Sequence, residues 1–183
     1  MKKIIAMFLI IAMVFTGNVS VNAKEFNDNY IEDENIEIRE ITKGSAPSEF
    51  FSNPVDVLNS SLRSTSVPTR YWNLASSAYT GNLVEVRVNW LYTNYYFAPN
   101  SSGILYLDYN IRPVNTTGTQ MQIGVYNIST GKFVKYYTTG GVPTAACIQI
   151  KGLNTDQHYA LAFTAVRDPL AYNAVQGTIQ VYH

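Results

Sequence analysis

The sequence is short of the groups that carry most protein chemistry. Its 183 residues include one cysteine and two histidines, so there is no internal disulfide and no thiol-rich or His-x-x-x-His metal site. A domain built from this chain must hold together by its core alone. Cys147 sits in Ala145-Ala146-Cys147-Ile148, a setting that predicts a buried small hydrophobe rather than a reactive thiol. Charged residues make up 14% of the chain and the formal net charge is zero, which leaves no electrostatic footprint for nucleic acid. No serine lies in a Gly-x-Ser-x-Gly elbow.

Long apolar runs are also missing, with one short exception at the start. Lys2 and Lys3 precede the apolar stretch Ile4 to Phe15, and Val21-Asn22-Ala23 follows with small residues where a signal peptidase reads. The stretch is well under the roughly 20 residues a spanning helix needs. Residues 1–23 therefore read as a secretory signal, and the mature chain is expected to be extracellular, with no stable membrane insertion. No cysteine stands at the cleavage point for lipidation, and the closing Gly177 to His183 reads as a strand rather than a wall-sorting tail.

Charge is distributed unevenly. Lys24 to Ser66 carries nine acidic and four basic residues, whereas Val67 to His183 carries four acidic and seven basic. The first segment is poor in aromatics and rich in Ser, Pro and acid, so 24–66 reads as a leader or loosely held linker before a domain at 67–183. Within it Ile36, Ile38 and Ile41 alternate as a short strand or helical turn would. A removable pro-segment docking on the positive domain is the functional alternative.

After Pro68 the texture changes to period-two alternation between turn signals. The predicted inner faces are Val84, Val86, Val88 and Trp90; Leu105, Leu107, Tyr109 and Ile111; Met121, Ile123 and Val125; Ala146, Ile148 and Ile150; Tyr159, Leu161 and Phe163; and Ile179 with Val181. Phe133 to Tyr137 is less clearly one-sided. Pro99 to Gly103, Pro113 to Gly118, Ile128 to Lys132, Gly140 to Pro143 and Lys151 to Asp156 supply the turns. Short strands at this spacing, without a long amphipathic helix, predict an all-β antiparallel β-sandwich, jelly-roll or Ig-like, of about eight strands. Leu153, followed six residues later by Tyr159 across polar residues, predicts a tyrosine corner, with the hydroxyl bonded back to upstream backbone.

Tyr95-Tyr-Phe-Ala-Pro-Asn-Ser-Ser-Gly-Ile-Leu-Tyr-Leu107 resembles the strand entry of bacterial pre-peptidase C-terminal domains. Gly124-Val-Tyr-Asn127 with Thr130-Gly131, the corner at Leu153 to Phe163 and the closing Gly177 to Tyr182 are similar to later parts of the same domains. The resemblance spans about Leu83 to Tyr182. It implies a sandwich that accompanies secreted hydrolases without catalysing anything itself.

Candidate chemistry is sparse. Glu85 and Asp108 fall on outward positions of what read as neighbouring strands and are the one pair that could serve a small glycoside hydrolase. His158 reads as a solvated loop residue. Asn154, Asp156 and Asp168 could lend oxygens to a structural calcium, though such an ion wants six to eight. Asn59, Asn100, Asn115 and Asn127 open Asn-x-Ser/Thr triplets and read as turn residues.

The aromatics stand out. Thirteen of the fourteen tyrosines and both tryptophans follow Pro68. Tyr106, Tyr126 and Tyr136 alternate onto the faces opposite the core, where a row of rings would serve sugars or peptides. Trp72, Tyr92 and Tyr95 fall near strand ends. These six are the expected binding residues, with a polysaccharide or cell-surface protein as partner and no cofactor. Cross-strand pairing that merely stabilises the sheet is the plainer alternative. Self-association through sheet edges is the remaining one.

Overall fold

The computed structural model describes residues 29–41, 61–62, 64–115, 119–166 and 173–183. Residues 1–23, Asn59 and Asp168 lie outside them. No helix occurs among the described residues; ten strands do. They are β1 (Glu37–Ile41), β2 (Ser61–Leu62), β3 (Tyr79–Val86), β4 (Leu91–Tyr92), β5 (Leu105–Pro113), β6 (Met121–Asn127), β7 (Lys132–Thr138), β8 (Thr144–Lys151), β9 (Tyr159–Ala165) and β10 (Val175–Tyr182). Eight of the ten, β3 to β10, lie within 67–183, the number expected from the alternation.

Two sheets form the sandwich. One is six-stranded in the order β1-β8-β5-β10-β3-β2, the other four-stranded in the order β4-β9-β6-β7. All pairs are antiparallel except β2 with β3. Among the described strands only β6 and β7 make a sequential hairpin; from β3 onward every other connection crosses between the sheets, as in Greek-key sandwiches.

The inner faces of β5, β6, β8, β9 and β10 follow the predicted alternation. Leu105, Leu107, Ile111, Met121, Ile123, Val125, Ile148, Ile150, Leu161, Phe163, Ile179 and Val181 share one buried cluster. Burying an aliphatic or aromatic side chain of this size contributes about 1.5–3 kcal/mol, and this repeated gain holds a domain without disulfides. Cys147 is buried, on the outer side of β8.

Strand β3 breaks the predicted phase. Tyr79, Leu83 and Val86 face the core, whereas Val84 and Val88 are 45% and 47% exposed. The cause is a bulge. Gly177 pairs with Leu83 and Val175 with Val86, so two residues of β3, Val84 and Glu85, stand opposite one of β10, Gln176. Glu85 takes φ of 53° at the extra position, a left-handed geometry that bulges accommodate. The pleat inverts there, and alternation read from the Val84 side runs one residue out of step.

Strand β7 holds a second bulge, because Val125 pairs with Lys135 but Tyr126 with Phe133. Val134 and Tyr137 thus face the core while Phe133 and Tyr136 face outward. That explains why no single face could be read for this strand.

The turns use the predicted residues. Asn100 Oδ1 accepts from Ser102 N and Ile104 N, both at 3.0 Å. Asn127 Oδ1 accepts from Ser129 N at 2.9 Å and Thr130 N at 3.2 Å. Gly131 and Gly152 adopt φ of 69° and 82°, where L side chains are strained. The corner also forms: Asn154 N donates to the Tyr159 hydroxyl at 3.0 Å, and Leu153 is buried where the chain passes from β8 to β9.

The described part of the acidic leader is woven into the domain. Phe133 N donates to Asn29 O and Ile31 N to Phe133 O, at 2.8 and 2.9 Å, along the edge of β7. The chain then buries Ile36 in the core and pairs β1 with the edge of β8. Glu32–Lys135 and Glu37–Lys151 ion pairs, at 2.8 and 2.7 Å, match the opposite charges of the two segments; at such exposed positions solvent screening leaves them little net weight. Glu40 matters more. Its carboxylate accepts from Tyr109 of one sheet at 3.2 Å and Tyr137 of the other at 2.5 Å.

Candidate functional site

The bulge in β7 and the absence of a side chain at Gly124 together create an aromatic face. Phe133 lies over Gly124, so close that an added Cβ would stand 2.6 Å from its ring. Trp90 covers the same glycine from the other side, with its ring 4.7 Å from that of Phe133. Tyr136 stacks on Trp90 at 5.6 Å and 13°, and Tyr30 from the leader stacks on Tyr136 at 4.6 Å and 22°. Tyr126 meets both Tyr92 and Phe133 edge-on, at 5.5 and 5.1 Å. All six rings belong to one cluster on the outside of the four-stranded sheet.

Phe133 and Tyr92 are buried within this cluster, while Tyr30, Trp90, Tyr126 and Tyr136 are half-buried. Burial is the main reason that the Tyr92 and Tyr136 hydroxyls are pushed up to about 12. The rings are interlocked. Those in the middle of the stack have their faces covered by neighbours: Tyr136 lies between Tyr30 and Trp90, and Trp90 between Tyr136 and Phe133. A smaller patch lies at Tyr71, Tyr96 and His158, where both tyrosines contact the exposed imidazole edge-on at 5.5 and 5.2 Å.

Of the six expected residues, Tyr92, Tyr126 and Tyr136 gather here. Tyr106 does not, because β5 belongs to the other sheet. Its hydroxyl accepts from Gln149 Nε2 at 3.1 Å, and its ring stacks on Tyr182 at 5.3 Å. The expected single row of tyrosines is thus split between the two outer surfaces. Trp72 and Tyr95 pack against the core, each edge-on to buried Tyr79. The Trp72 indole donates to Ser77 O at 3.0 Å, and the Arg70 guanidinium sits 4.9 Å over Tyr95.

Tyr30, Trp90 and Phe133 are the members the sequence reading missed. Alternation counted from Val84 and Val88 places Trp90 inward, on the wrong side of the β3 bulge, and the acidic context places Tyr30 in the leader. The available signal was Gly124 in a strand, which marks a place where another group approaches closely.

Glu85 and Asp108 are not neighbours. Strand β10 separates β3 from β5, and Asp108 aligns through Gln180 with Thr80, five residues from Glu85. At ordinary strand dimensions the two carboxylates are about 15–20 Å apart, beyond the spacing that glycosidase pairs use. Glu85 is taken by Arg87 at 2.6 Å, and Asp108 accepts from the Tyr182 hydroxyl at 3.1 Å. In the loop proposed for calcium, Asn154 Oδ1 already accepts from Asp156 N at 2.9 Å. No group of three or more His, Cys, Asp or Glu that could hold a metal occurs among the described residues. In comparisons with known proteins, no family model and no curated sequence matches the chain.

Proposed function

We propose that this chain is an exported, non-catalytic binding module that engages a surface partner through the aromatic face of its four-stranded sheet. The observation that carries the reading is the clustering of Tyr30, Trp90, Tyr126 and Tyr136, all half-buried, on the side of that sheet turned away from the core. Trp and Tyr are the residues that dominate protein interfaces, because each offers large apolar area and a polar tip at low entropic cost. A stacking platform for sugar needs open ring faces, and here neighbours cover the central ones. Ring edges and hydroxyls suit a protein partner that offers apolar side chains and carbonyl acceptors. The strand-and-turn likeness to pre-peptidase C-terminal domains fits the same accessory role.

The test is retention of the labelled protein on cell-envelope preparations, before and after protease treatment of the envelopes. Tyr126→Ala, checked for an unchanged circular dichroism spectrum, should lower retention about tenfold, within the range of an interface hot spot. Protease treatment should abolish retention of the parent protein. Retention that survives protease and is indifferent to Tyr126→Ala sinks the reading.

A further inference from the structure

The outer surface of the six-stranded sheet holds a groove of about 760 Å3 that the aromatic face does not touch. We infer that this groove is a second binding site, for a neutral hydroxyl-rich carbohydrate chain. The inference goes beyond the aromatic face and stands without it.

The groove follows from the register. One cross-strand row runs Ile41, Cys147, Asp108, Gln180, Thr80 over β1, β8, β5, β10 and β3. The adjacent row runs Ala145, Asn110, Thr178, Asn82. Side chains in these rows are mostly short, which makes the floor. On one side the next row carries Arg39, Gln149, Tyr106 and Tyr182, linked across four strands. Arg39 Nε donates to Gln149 Oε1 at 2.9 Å, Gln149 donates to Tyr106, and Tyr106 stacks on Tyr182. That row is a wall. Five strands at ordinary spacing make the floor about 19 Å across.

The floor chemistry selects the ligand class. Asn110 and Gln180 offer an amide donor and acceptor each, Thr178 a hydroxyl, and Asp108 an acceptor only. Among the described residues, the side chains of Asn110, Thr178 and Gln180 have no hydrogen-bond partner, so they are open to a ligand. Vicinal sugar hydroxyls donate and accept at once and match such an array. The Asp108 and Glu40 carboxylates that border the groove disfavour phosphate and other anions. Two carboxylates, each already accepting a tyrosine hydroxyl, are too few for a hard cation. The lining is about as apolar as it is polar, which matches the C–H faces and hydroxyls of a sugar ring together, and the volume falls within the roughly 300–1,000 Å3 of small-molecule sites.

The experiment is affinity electrophoresis of the full exported chain in gels containing soluble neutral polysaccharides: β-glucan, xylan, galactomannan and glycol chitin. At least one should retard the parent protein. Asn110→Ala and Gln180→Ala should each weaken that retardation about five- to tenfold, the loss of one or two ligand hydrogen bonds, while Tyr126→Ala leaves it intact. Asn110 is exposed and Gln180 half-buried, both on the side of the sheet turned away from the core, so folding is preserved. Retardation lost in Tyr126→Ala but kept in the groove variants would move sugar binding to the aromatic face and overturn the inference. Absence of retardation by every polymer overturns it too, and leaves the protease-sensitive retention on cell envelopes unaffected.

Discussion

On the outside of the four-stranded sheet, Phe133 meets the rings of Trp90, Tyr92, Tyr126 and Tyr136. On the outside of the six-stranded sheet, Asp108 meets one tyrosine hydroxyl, and Asn110 beside it is exposed. Both surfaces are turned away from the same core, yet one is a packed second layer of rings, whereas the other packs only around Tyr106, Cys147 and Tyr182 and leaves short polar side chains standing beside them. The difference has a geometric origin. A glycine and a bulge on β6 and β7 let large rings sink against the backbone, whereas regular pairing across β8, β5 and β10 keeps short side chains in straight rows. Residues that sink into a layer should matter for stability. Residues left standing on a floor should matter only for binding.

The largest expected break in that contrast is Phe133→Ala. The ring is 4% exposed, and its removal empties the centre of the aromatic layer, at a cost of about 3–5 kcal/mol. Chemical denaturation should show the midpoint falling with little change in slope. A loss under 1 kcal/mol would mean the layer is surface decoration. Gly124→Ala asks the same question from the opposite side. The new Cβ would press on Phe133 and Trp90, and overpacking of this kind costs about 1–3 kcal/mol. Melting temperature and near-ultraviolet circular dichroism should both change, since the latter reports the packing of those rings.

The core and the corner were legible in the sequence because each rests on local rules. Alternation in β5, β6, β8, β9 and β10 needs only period two, and Leu153 to Tyr159 needs only a leucine, a polar crossing and a tyrosine. Both aromatic surfaces were less legible. The bulges at Glu85 and after Phe133 are set by what the partner strand demands, so the phase of Trp90 and Phe133 could not be read from their own segments alone. The split of Tyr106 from Tyr126 depends on strand order, which alternation does not encode. The Tyr30 contribution was hidden because an acidic, aromatic-poor context argues for a linker, and only tertiary pairing with Phe133 overrides it.

Glu40 sharpens the comparison at the side where the two sheets are joined. Glu40→Ala leaves the buried Tyr109 hydroxyl without its carboxylate partner, a loss of about 1–3 kcal/mol; Glu40→Gln, which keeps an acceptor, should recover part of it in the same denaturation assay. Tyr159→Phe removes the acceptor for Asn154 N–H and should cost about 1–2 kcal/mol. Tyrosine ionisation gives a graded readout. The Tyr92, Tyr136 and Tyr137 hydroxyls are raised to about 12, chiefly by burial. The folded form holds these protons after the unfolded chain has begun to lose them near pH 10. Stability is therefore full below pH 10 and falls as pH rises toward 12. Absorbance at tyrosinate wavelengths should show an early group and a delayed group, the delayed one coinciding with unfolding. A single transition near pH 10 with the fold retained would show that the aromatic layer is wet.

The smallest effect is the most discriminating. Asn110→Ala and Thr178→Ala remove polar groups from the open floor without touching the core, and both positions are exposed. Substitutions of this kind usually stay within about 0.5 kcal/mol of the parent. Paired with Phe133→Ala in one denaturation series, they separate the two outer surfaces directly: a large loss on one side, almost none on the other. If Asn110→Ala or Thr178→Ala instead destabilises by more than 1 kcal/mol, the floor is a structural hydrogen-bond layer in its own right. Its side chains would then be committed to the fold, and the argument that they stand open to a ligand would lose its footing.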